Sequence, residues 1–349
     1  MERAALVHRL RHQAVWCARL GSPLYAEILE RAAQDVDAGG PVADVLAGHG
    51  DDPARSVLAL RLAGAVHRIV LRGDAPELAR HYPSAGGEGR PEDAWPAFRA
   101  AVAEHADEIR ARLDDTVQTN EVRRSGALLG GFLSVARETG LPLRLFELGA
   151  SGGLNLRWDR YRYETPVGAW GDPRSRVRIG EFLTDGALPL EVRTEVVERR
   201  GVDANPLDPA TPEGRLELTA YVWPDQTERL ALLRAAFEIA EEVPARVERG
   251  DAADWIERAL GLARGRATVV FHSIFVQYVE RPARVRIRQT IEAAGRHATD
   301  SAPLAWLRME PAGAVAEVRL TAWPGGEERL LGTSGFHGGD VHWFGDAAA

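Results

Sequence analysis

The chain of 349 residues contains no lysine, and all forty-three of its basic side chains are arginine. A phosphate-binding loop of the Gly-x-x-x-x-Gly-Lys-Ser/Thr type needs a lysine at a fixed place, so this absence excludes that class of nucleotide-binding protein. Alanine, glycine, arginine and proline are abundant together, a bias that we attribute to GC-rich coding rather than to function.

Cysteine and long apolar runs are also scarce. The single cysteine, Cys17, has no partner for an internal disulfide and lies on the apolar side of the first predicted helix, where a small packing residue is expected. No apolar run approaches the length of a membrane span, and no charged-then-apolar leader pattern is visible. These absences predict a cytoplasmic protein that does not contact membranes.

The net charge is -8, and no basic stripe with interleaved aromatic residues is present. This charge balance argues against a nucleic-acid substrate and favours a small molecule. The 45% apolar content supports one large domain or two modest ones, while nothing in the sequence predicts the oligomeric state.

Residues 1–140 predict an all-helical N-terminal domain. The first helix has an apolar stripe from Leu6 to Cys17, and Ser22 with Pro23 suits the start of the second. The other predicted helices run from Asp52-Pro53 to Gly73, from Trp95 to Leu113, and from Glu121 to Glu138.

A crowded glycine loop follows the apolar run Leu143–Leu148, which reads as a β-strand containing the acid Glu147. Gly149, Gly152 and Gly153 lack Cβ atoms, so the backbone can turn sharply and lie directly against a ligand. Open α/β sheets bind ligands at the carboxyl ends of their strands. The pattern therefore predicts a strand, a binding loop and the start of a helix.

Two ligand chemistries fit this loop incompletely. A dinucleotide site needs Gly-x-Gly-x-x-Gly, but Ser151 and Leu154 occupy its second and third glycine places. The segment 149–153 also satisfies Gly-x-Ser-x-Gly, the nucleophile elbow of α/β hydrolases. That fold has several strands before the elbow, whereas helices are predicted here, and the available partners Asp340 and His342 are two residues apart. A serine hydrolase stays as the alternative.

The third chemistry is the binding of S-adenosylmethionine, whose loop has the pattern acid-x-Gly-x-Gly-x-Gly. Glu147, Gly149, Ser151 and Gly153 match this pattern with one serine in place of a glycine. The cofactor has no phosphate, so it needs close approach of the backbone, a carboxylate for the ribose hydroxyls and a polar group near the adenine.

Polar side chains end the next predicted strands as well. The segment Thr194–Asp203 reads as a strand ending in an acid that can accept both ribose hydroxyls. Asp251 follows a short strand and could reach an adenine amino group, and the buried run Ala267–Ser273 ends in His272. Either acid alone would more simply cap the following segment. Their recurrence at successive strand ends favours cofactor contacts.

The order of these motifs resembles a bacterial family, the domain of unknown function 2332 family, from about Gln118 to the C-terminus, with a weaker match in the helical region before it. The motifs that carry the resemblance are ELGASGGLNL, RGVDANPLD, VWPDQ, GDAADW and VVFHS. That family in turn resembles class I S-adenosylmethionine-dependent methyltransferases. The resemblance implies an α/β fold at residues 141–349, Rossmann-like and doubly wound, with a mostly parallel sheet and a C-terminal antiparallel hairpin. An insertion is expected at about 158–190.

The resemblance also implies S-adenosyl-L-methionine as cofactor, S-adenosyl-L-homocysteine as product, and a set of cofactor residues. Glu147 and the loop would hold the methionine end, Asp203 the ribose, and Asp251 with Ala252 the adenine, while His272 would face the transferred group. The expected set is Glu147, Gly149, Ala150, Ser151, Gly153, Asp203, Ala204, Asp251, Ala252 and His272.

Five further residues are expected at the substrate. Asn120 and Glu121 either start the following helix as cap and dipole partner or belong to a lid over the site, and the resemblance favours the lid. Trp158 either cradles the sulfonium through its ring face or packs the insertion. The expected set is Gln118, Asn120, Glu121, Trp158 and Gln277.

The expected reaction is in-line displacement at the cofactor's methyl carbon by an oxygen or nitrogen atom of a small molecule, with most of the catalysis coming from positioning. His272 is the expected base and Tyr278 the second catalytic residue. Three alternatives remain. His272 could have a purely structural role, the protein could bind the cofactor as a non-catalytic sensor, or the cofactor could serve chemistry other than methyl transfer.

The C-terminal segment predicts an antiparallel hairpin at the edge of the sheet. Residues 316–322 alternate apolar and polar side chains, and a second strand begins at about Arg329. His337, Asp340 and His342 lie in a glycine-rich loop without an evident fourth ligand, so no metal site is expected.

Overall fold

The structure, a computed structural model, describes residues 2–53, 57–88 and 90–345. The chain forms two compact units. The first comprises Met1–Thr119 and Thr211–Ala231, and the second comprises Asn120–Ala210 and Leu232–Ala349. The sequence places the division near residue 140, whereas in the structure the helix before the first strand groups with the sheet.

Helices occur throughout the described residues. In chain order the α-helices are α1 (Glu2–Arg19), α2 (Pro23–Asp37), α3 (Pro41–Val45), α4 (Leu58–Arg72), α5 (Pro76–Ala79), α6 (Pro91–Glu104), α7 (Ala106–Arg112), α8 (Arg124–Thr139), α9 (Pro212–Ala220), α10 (Thr227–Glu242), α11 (Ala252–Ala259) and α12 (Arg281–Gly295). None of these described helices has the length and apolar character that a membrane span requires.

Strands begin only after residue 140 in the described chain. They are β1 (Leu143–Leu148), β2 (Arg162–Thr165), β3 (Gly168–Trp170), β4 (Arg178–Ile179), β5 (Leu183–Asp185), β6 (Val196–Asp203), β7 (Arg246–Arg249), β8 (Ala267–Ser273), β9 (Leu304–Ala312), β10 (Val315–Trp323), β11 (Glu327–Ser334) and β12 (Val341–Trp343). The N-terminal helical region and the mixed α/β class are therefore confirmed.

The first unit is built from helices with apolar stripes. The predicted stripe of α1 is buried from Leu6 to Cys17. The predicted start of α2 is also confirmed, because Ser22 Oγ accepts a hydrogen bond from the Tyr25 backbone N–H and Pro23 occupies the first turn. Later in the chain, α9 packs against α4 and completes this unit.

The helix predicted from Asp52 begins later than expected. The Asp52 carboxylate accepts hydrogen bonds from Arg61 and His49 instead of capping the backbone. The helix α4 begins only at Leu58, and residues 54–56 of the predicted first turn lie outside the described residues.

Two other predicted helices differ at their boundaries. The prediction for residues 95–113 is wrong at its centre, because His105 leaves helical angles (φ −108°, ψ 24°) and separates α6 from α7. The prediction for residues 121–138 corresponds to α8, which ends as expected at Gly140 in a left-handed conformation.

The second unit contains a nine-stranded sheet with the order β5-β12-β11-β10-β9-β8-β1-β6-β7. The five strands from β9 to β7 are mutually parallel, and β10 and β11 form an antiparallel hairpin next to β9. The mostly parallel sheet and the hairpin are as predicted. The hairpin is not at the edge, however, because β12 and β5 extend the sheet beyond it.

Helices cover both faces of the parallel strands. Trp255 of α11 and Ile291 of α12 belong to a buried cluster with Val270 on one face. The neighbouring residue of β8, Phe271, points to the other face, where it contacts Phe132 of α8 edge to face.

The insertion predicted at about 158–190 is a small three-stranded sheet with the order β3-β2-β4, followed by β5, which joins the large sheet beside β12. The chain returns to the centre of the sheet at β6, so the long excursion leaves the parallel pairing of β1 with β6 intact.

Close packing of α8 against the C-terminal strand gives a first prediction. A Cβ on Gly130 would lie 2.4 Å from the Trp343 ring, so we expect Gly130→Ala to lower the free energy of unfolding by about 1–3 kcal/mol. Replacing glycine by alanine at a solvent-exposed helix position without such a contact would instead raise the free energy of unfolding by about 1 kcal/mol. Urea unfolding measures the difference.

Gly261→Ala is the control, because a Cβ there meets nothing within 4 Å. Equal or higher stability of Gly130→Ala would contradict close packing between α8 and β12.

Candidate functional site

The candidate site lies in the second unit, where the carboxyl ends of β6, β1 and β8 are adjacent. In the register of the sheet, Glu147 of β1 lies between Gly201 of β6 and Phe271 of β8. The glycine loop leaves β1 at this edge, and the chain leaves β6 at Asp203 and β8 just after His272. The strand ends that the sequence singles out therefore do come together.

The loop after β1 requires glycine at two positions. Gly149 and Gly153 have φ angles of 70° and 65°, and Ser151 between them has 51°. A Cβ on Gly149 would lie 2.4 Å from the ring of Phe275, so any other residue would displace that ring.

Side chains hold the loop by its backbone N–H groups. Asp203 Oδ2 accepts from Ser151 N (2.9 Å) and Oδ1 accepts from Asn205 N (2.8 Å). Asn120 Oδ1 accepts from Leu154 N (2.9 Å). The capping alternative for Asn120 is wrong, because α8 begins without a side-chain cap and Asn120 serves the loop instead. Two residues distant in sequence thus fix the loop.

The segment after the loop is helical, as predicted, but of the 3₁₀ type. It spans Leu154–Arg160. Arg157 is folded back under the loop, where its Nη1 donates to Gly153 O (2.7 Å) and its Nε donates to Val243 O (2.7 Å). The bond to Gly153 O satisfies a carbonyl that a continuing α-helix would have used.

Glu147 is a buried acid whose carboxylate is not fully paired. Its side chain is 2% exposed, and Oε2 has no hydrogen-bond partner among the residues that the structure describes. Burial raises the pKa of this carboxyl well above its ordinary value of 4.5, and the charge of Asp203 raises it further, while Arg157 and Arg124 oppose the shift. A cationic ligand would supply the missing partner.

His272 is buried, and both of its ring nitrogens are engaged. Trp306 Nε1–H donates to Nε2 (3.2 Å), so Nδ1 carries the proton that is shared with Glu310 Oε1 (2.5 Å). The same carboxylate accepts from Phe275 N (3.0 Å) and Val276 N (3.2 Å). His272 and Glu310 therefore hold the turn that follows β8.

That turn contains an unfavourable backbone conformation. Ile274 has a φ angle of 51°, which is rare for a β-branched residue. Such conformations persist where the surroundings force them and cluster at functional sites. Here the conformation directs Phe275 onto Gly149, so the turn and the glycine loop are packed against each other.

Of the other residues predicted for catalysis or substrate binding, some are exposed to solvent and some are buried. Tyr278 is 49% exposed and Gln277 is exposed beside it. Trp158 is fully buried, stacked between Phe132 (4.4 Å between ring centroids) and Trp170 (5.1 Å). The packing alternative describes this tryptophan in the structure.

Asp251 and Ala252, the two residues expected to contact the adenine, lie at the start of α11. Asp251 Oδ1 accepts from Ala253 N (2.9 Å) and Asp254 N (3.0 Å), so it caps the helix that begins at Ala252. At the end of β6, Ala204 O accepts from Arg249 Nη1 (3.0 Å).

Two further residues expected at the substrate have hydrogen-bond partners in the protein. Glu121 is buried, and its carboxylate accepts from Arg123 N (3.3 Å) while its carbonyl accepts from Asn155 Nδ2 (3.3 Å). Gln118 belongs to the first unit, where its amide donates to Thr116 Oγ1 (3.2 Å).

The sequence did not single out Glu310, Phe275 or Arg157 for this site. Glu310 lies 38 residues after His272, on a strand whose other residues are mostly buried and apolar. An acid in such a strand is a signal in itself, because a buried carboxylate needs a partner. Arg157 offers no comparable signal, since arginine is abundant in this chain.

In a serine hydrolase, His342 would have to lie beside Ser151, but the order of strands in the sheet keeps the two residues apart. His342 is on β12, five strand spacings or about 24 Å from β1. It pairs instead with Asp185 Oδ2 through Nδ1 (2.8 Å). Across the described ranges, no three His, Cys, Asp or Glu side chains are grouped closely enough to hold a metal ion.

The chain is therefore an α/β protein with a candidate ligand site at the carboxyl ends of its parallel strands. The chain belongs to the bacterial family described as uncharacterized protein conserved in bacteria (DUF2332), whose profile matches residues 7–343. This confirms the family that the motifs indicate. No curated protein and no solved structure matches the chain.

The role of Asn120 can be tested by stability. Asn120→Ala leaves the buried Leu154 N–H without an acceptor, so we expect the free energy of unfolding to fall by about 1–3 kcal/mol. Chemical denaturation measures this change. The control is Asn205→Ala, which loses only an exposed contact with Arg249 and should cost about 0.5 kcal/mol or less. Equal effects of the two variants would show that Asn120 does not hold the loop.

The raised pKa of Glu147 predicts a pH dependence. The folded protein binds this proton more tightly than the unfolded chain, so the contribution of Glu147 to the free energy of unfolding is highest below about pH 4.5 and is lost as pH rises through the folded-state pKa. Glu147→Gln removes this group, and we expect a smaller fall in stability toward neutral pH.

Denaturation curves at several pH values measure this effect, with the exposed Glu191→Gln as control. Parallel pH profiles for wild type and Glu147→Gln would refute a raised pKa of Glu147.

Proposed function

We propose that this protein is an S-adenosylmethionine-dependent methyltransferase that acts on an oxygen or nitrogen atom of a small molecule. The observation that carries the proposal is the buried Glu147 carboxylate, with Oε2 lacking a hydrogen bond within the described chain, directly before a left-handed glycine loop. A buried carboxylate needs a cation or donors. The α-ammonium group of S-adenosylmethionine would provide both.

The strand order supports a Rossmann-like, doubly wound arrangement. From β1 the sheet grows in one direction through β6 and β7, and then in the other through β8 and β9. The direction of growth thus reverses between β1 and β8. In open α/β sheets ligands bind outside the carboxyl ends of the strands at this switch point. Glu147 and the turn after His272 flank it.

The 3₁₀ segment after the loop favours a cofactor without a phosphate. Dinucleotide and phosphate sites place the anion at the N-terminus of an α-helix, where free N–H groups and the helix dipole attract it. In this loop, Leu154 N–H is already bonded to Asn120, and no α-helix follows before residue 160. S-adenosylmethionine needs neither feature.

Four side chains would hold the cofactor. Glu147 would bind the ammonium group, and Asp203, fixed by two backbone N–H groups, would accept the ribose hydroxyls. Asp251 uses Oδ1 as a helix cap, while Oδ2 makes no hydrogen bond in the described chain and would accept from the adenine amino group. Ala252 would lie beside the ring.

When bound, S-adenosylmethionine supplies a methyl group made electrophilic by the adjacent sulfonium. The protein's contribution would be to position the acceptor in line with that methyl group. Tyr278 and Gln277 are exposed beside the turn and would orient the acceptor. His272 would have to release Trp306 before it could take a proton, so its hydrogen bonds favour a positioning role through Glu310.

Calorimetric titration with S-adenosylmethionine and with S-adenosylhomocysteine tests the proposal. We expect micromolar binding of both, weakened at least about tenfold by Glu147→Gln, which corresponds to about 1.4 kcal/mol. The exposed Glu191→Gln is the matched control and should bind as wild type does.

Failure of both compounds to bind would overturn the proposal. Binding without turnover in an acceptor screen would point to a sensor. Ester hydrolysis abolished by Ser151→Ala would instead establish the hydrolase alternative.

A further inference from the structure

A cleft on one face of the large sheet contains none of the residues assigned above to the cofactor or substrate. It lies between α12 and the strands β9, β10 and β11. Its lining includes Arg288, Arg296, Trp306, Arg308, Trp323 and Glu328.

The floor of the cleft follows from strand register. Trp306 of β9 pairs with Thr321 of β10, and Thr321 pairs with Glu328 of β11. Directly paired residues project from the same face of an antiparallel sheet. Arg308 follows two residues after Trp306 and so projects from that face as well.

Arg308 is buried with an incomplete set of acceptors. Its guanidinium stacks on the Trp306 ring (4.2 Å from Cζ to the centroid), and Nη2 donates to Thr321 Oγ1 (2.8 Å) and Glu328 Oε2 (2.7 Å). The residue is 8% exposed, and its Nε is buried with no partner in the described chain. A buried donor without an acceptor is costly, and an anion nearby would compensate for it.

The wall of the cleft adds two further positive charges. Arg288 and Arg296 are exposed and form no ion pair within the ranges that the structure describes. Arg288 lies over the Trp306 ring (5.9 Å). Glu292 lies between these arginines on the helix, and Glu328 is already paired with Arg308 and Arg319. The cleft therefore keeps a net positive charge.

We propose that this cleft binds a small organic anion in which a carboxylate or phosphate is attached to a flat apolar group. Guanidinium groups recognise both oxyanions through paired N–H donors. The partly exposed indole ring of Trp323 offers flat apolar surface beside those donors. The proposal is independent of the cofactor site and of methyl transfer.

Calorimetric titration of the full chain, without any cofactor, tests the proposal. The probes are phenyl phosphate and benzoate, each combining both features, and inorganic phosphate and benzyl alcohol, each lacking one. We expect saturable binding of phenyl phosphate or benzoate at least tenfold tighter than that of either single-feature probe. The preferred probe would distinguish a phosphate ligand from a carboxylate ligand.

The double variant Arg288→Gln/Arg296→Gln should weaken that binding at least tenfold. Because neither guanidinium group has a hydrogen-bond partner in the described chain, folding should be preserved, which thermal unfolding checks. Arg258→Gln/Arg264→Gln removes the same charge from exposed positions outside the cleft and should bind as wild type does.

Absence of saturable binding by both two-feature probes would overturn the proposal, as would equal weakening by the two double variants. Inorganic phosphate binding as tightly as phenyl phosphate would overturn the requirement for a flat apolar group.

Discussion

Parallel pairing around β1 is the constraint on which the rest of the second unit depends. Because β6 and β8 both run alongside β1, their carboxyl ends open on the same edge of the sheet. Each parallel connection must then cross a face of the sheet, and helices on both faces satisfy that need. The same geometry brings the glycine loop, Asp203 and the turn after His272 together, although they are distant in the sequence.

The loop keeps its shape through side chains rather than through a following helix. Asp203 and Asn120 accept from its N–H groups, and Arg157 donates to its carbonyl side. Phe275, directed by the strained Ile274, covers Gly149. A loop bonded on both sides is preorganised, so a ligand would not need to order it on binding.

Local signals predict the strands of this site better than its hydrogen bonds. Apolar runs ending in polar residues locate β1 and β8, because buried parallel strands are apolar on both faces. The partner of Asn120 could not be predicted, since its side chain bonds to Leu154, which only the fold brings near. The 3₁₀ segment and the buried bonds of Arg157 within it are not revealed by a local pattern.

The division of the chain has a consequence for the order of its synthesis. Trp223 packs against Tyr25 in the core of the first unit, and α9 belongs to that unit as well. Both emerge from the ribosome after β1 to β6 have been made. Until then, the part of the apolar surface of the N-terminal helices that α9 and Trp223 cover in the folded unit remains exposed, while the first half of the sheet emerges.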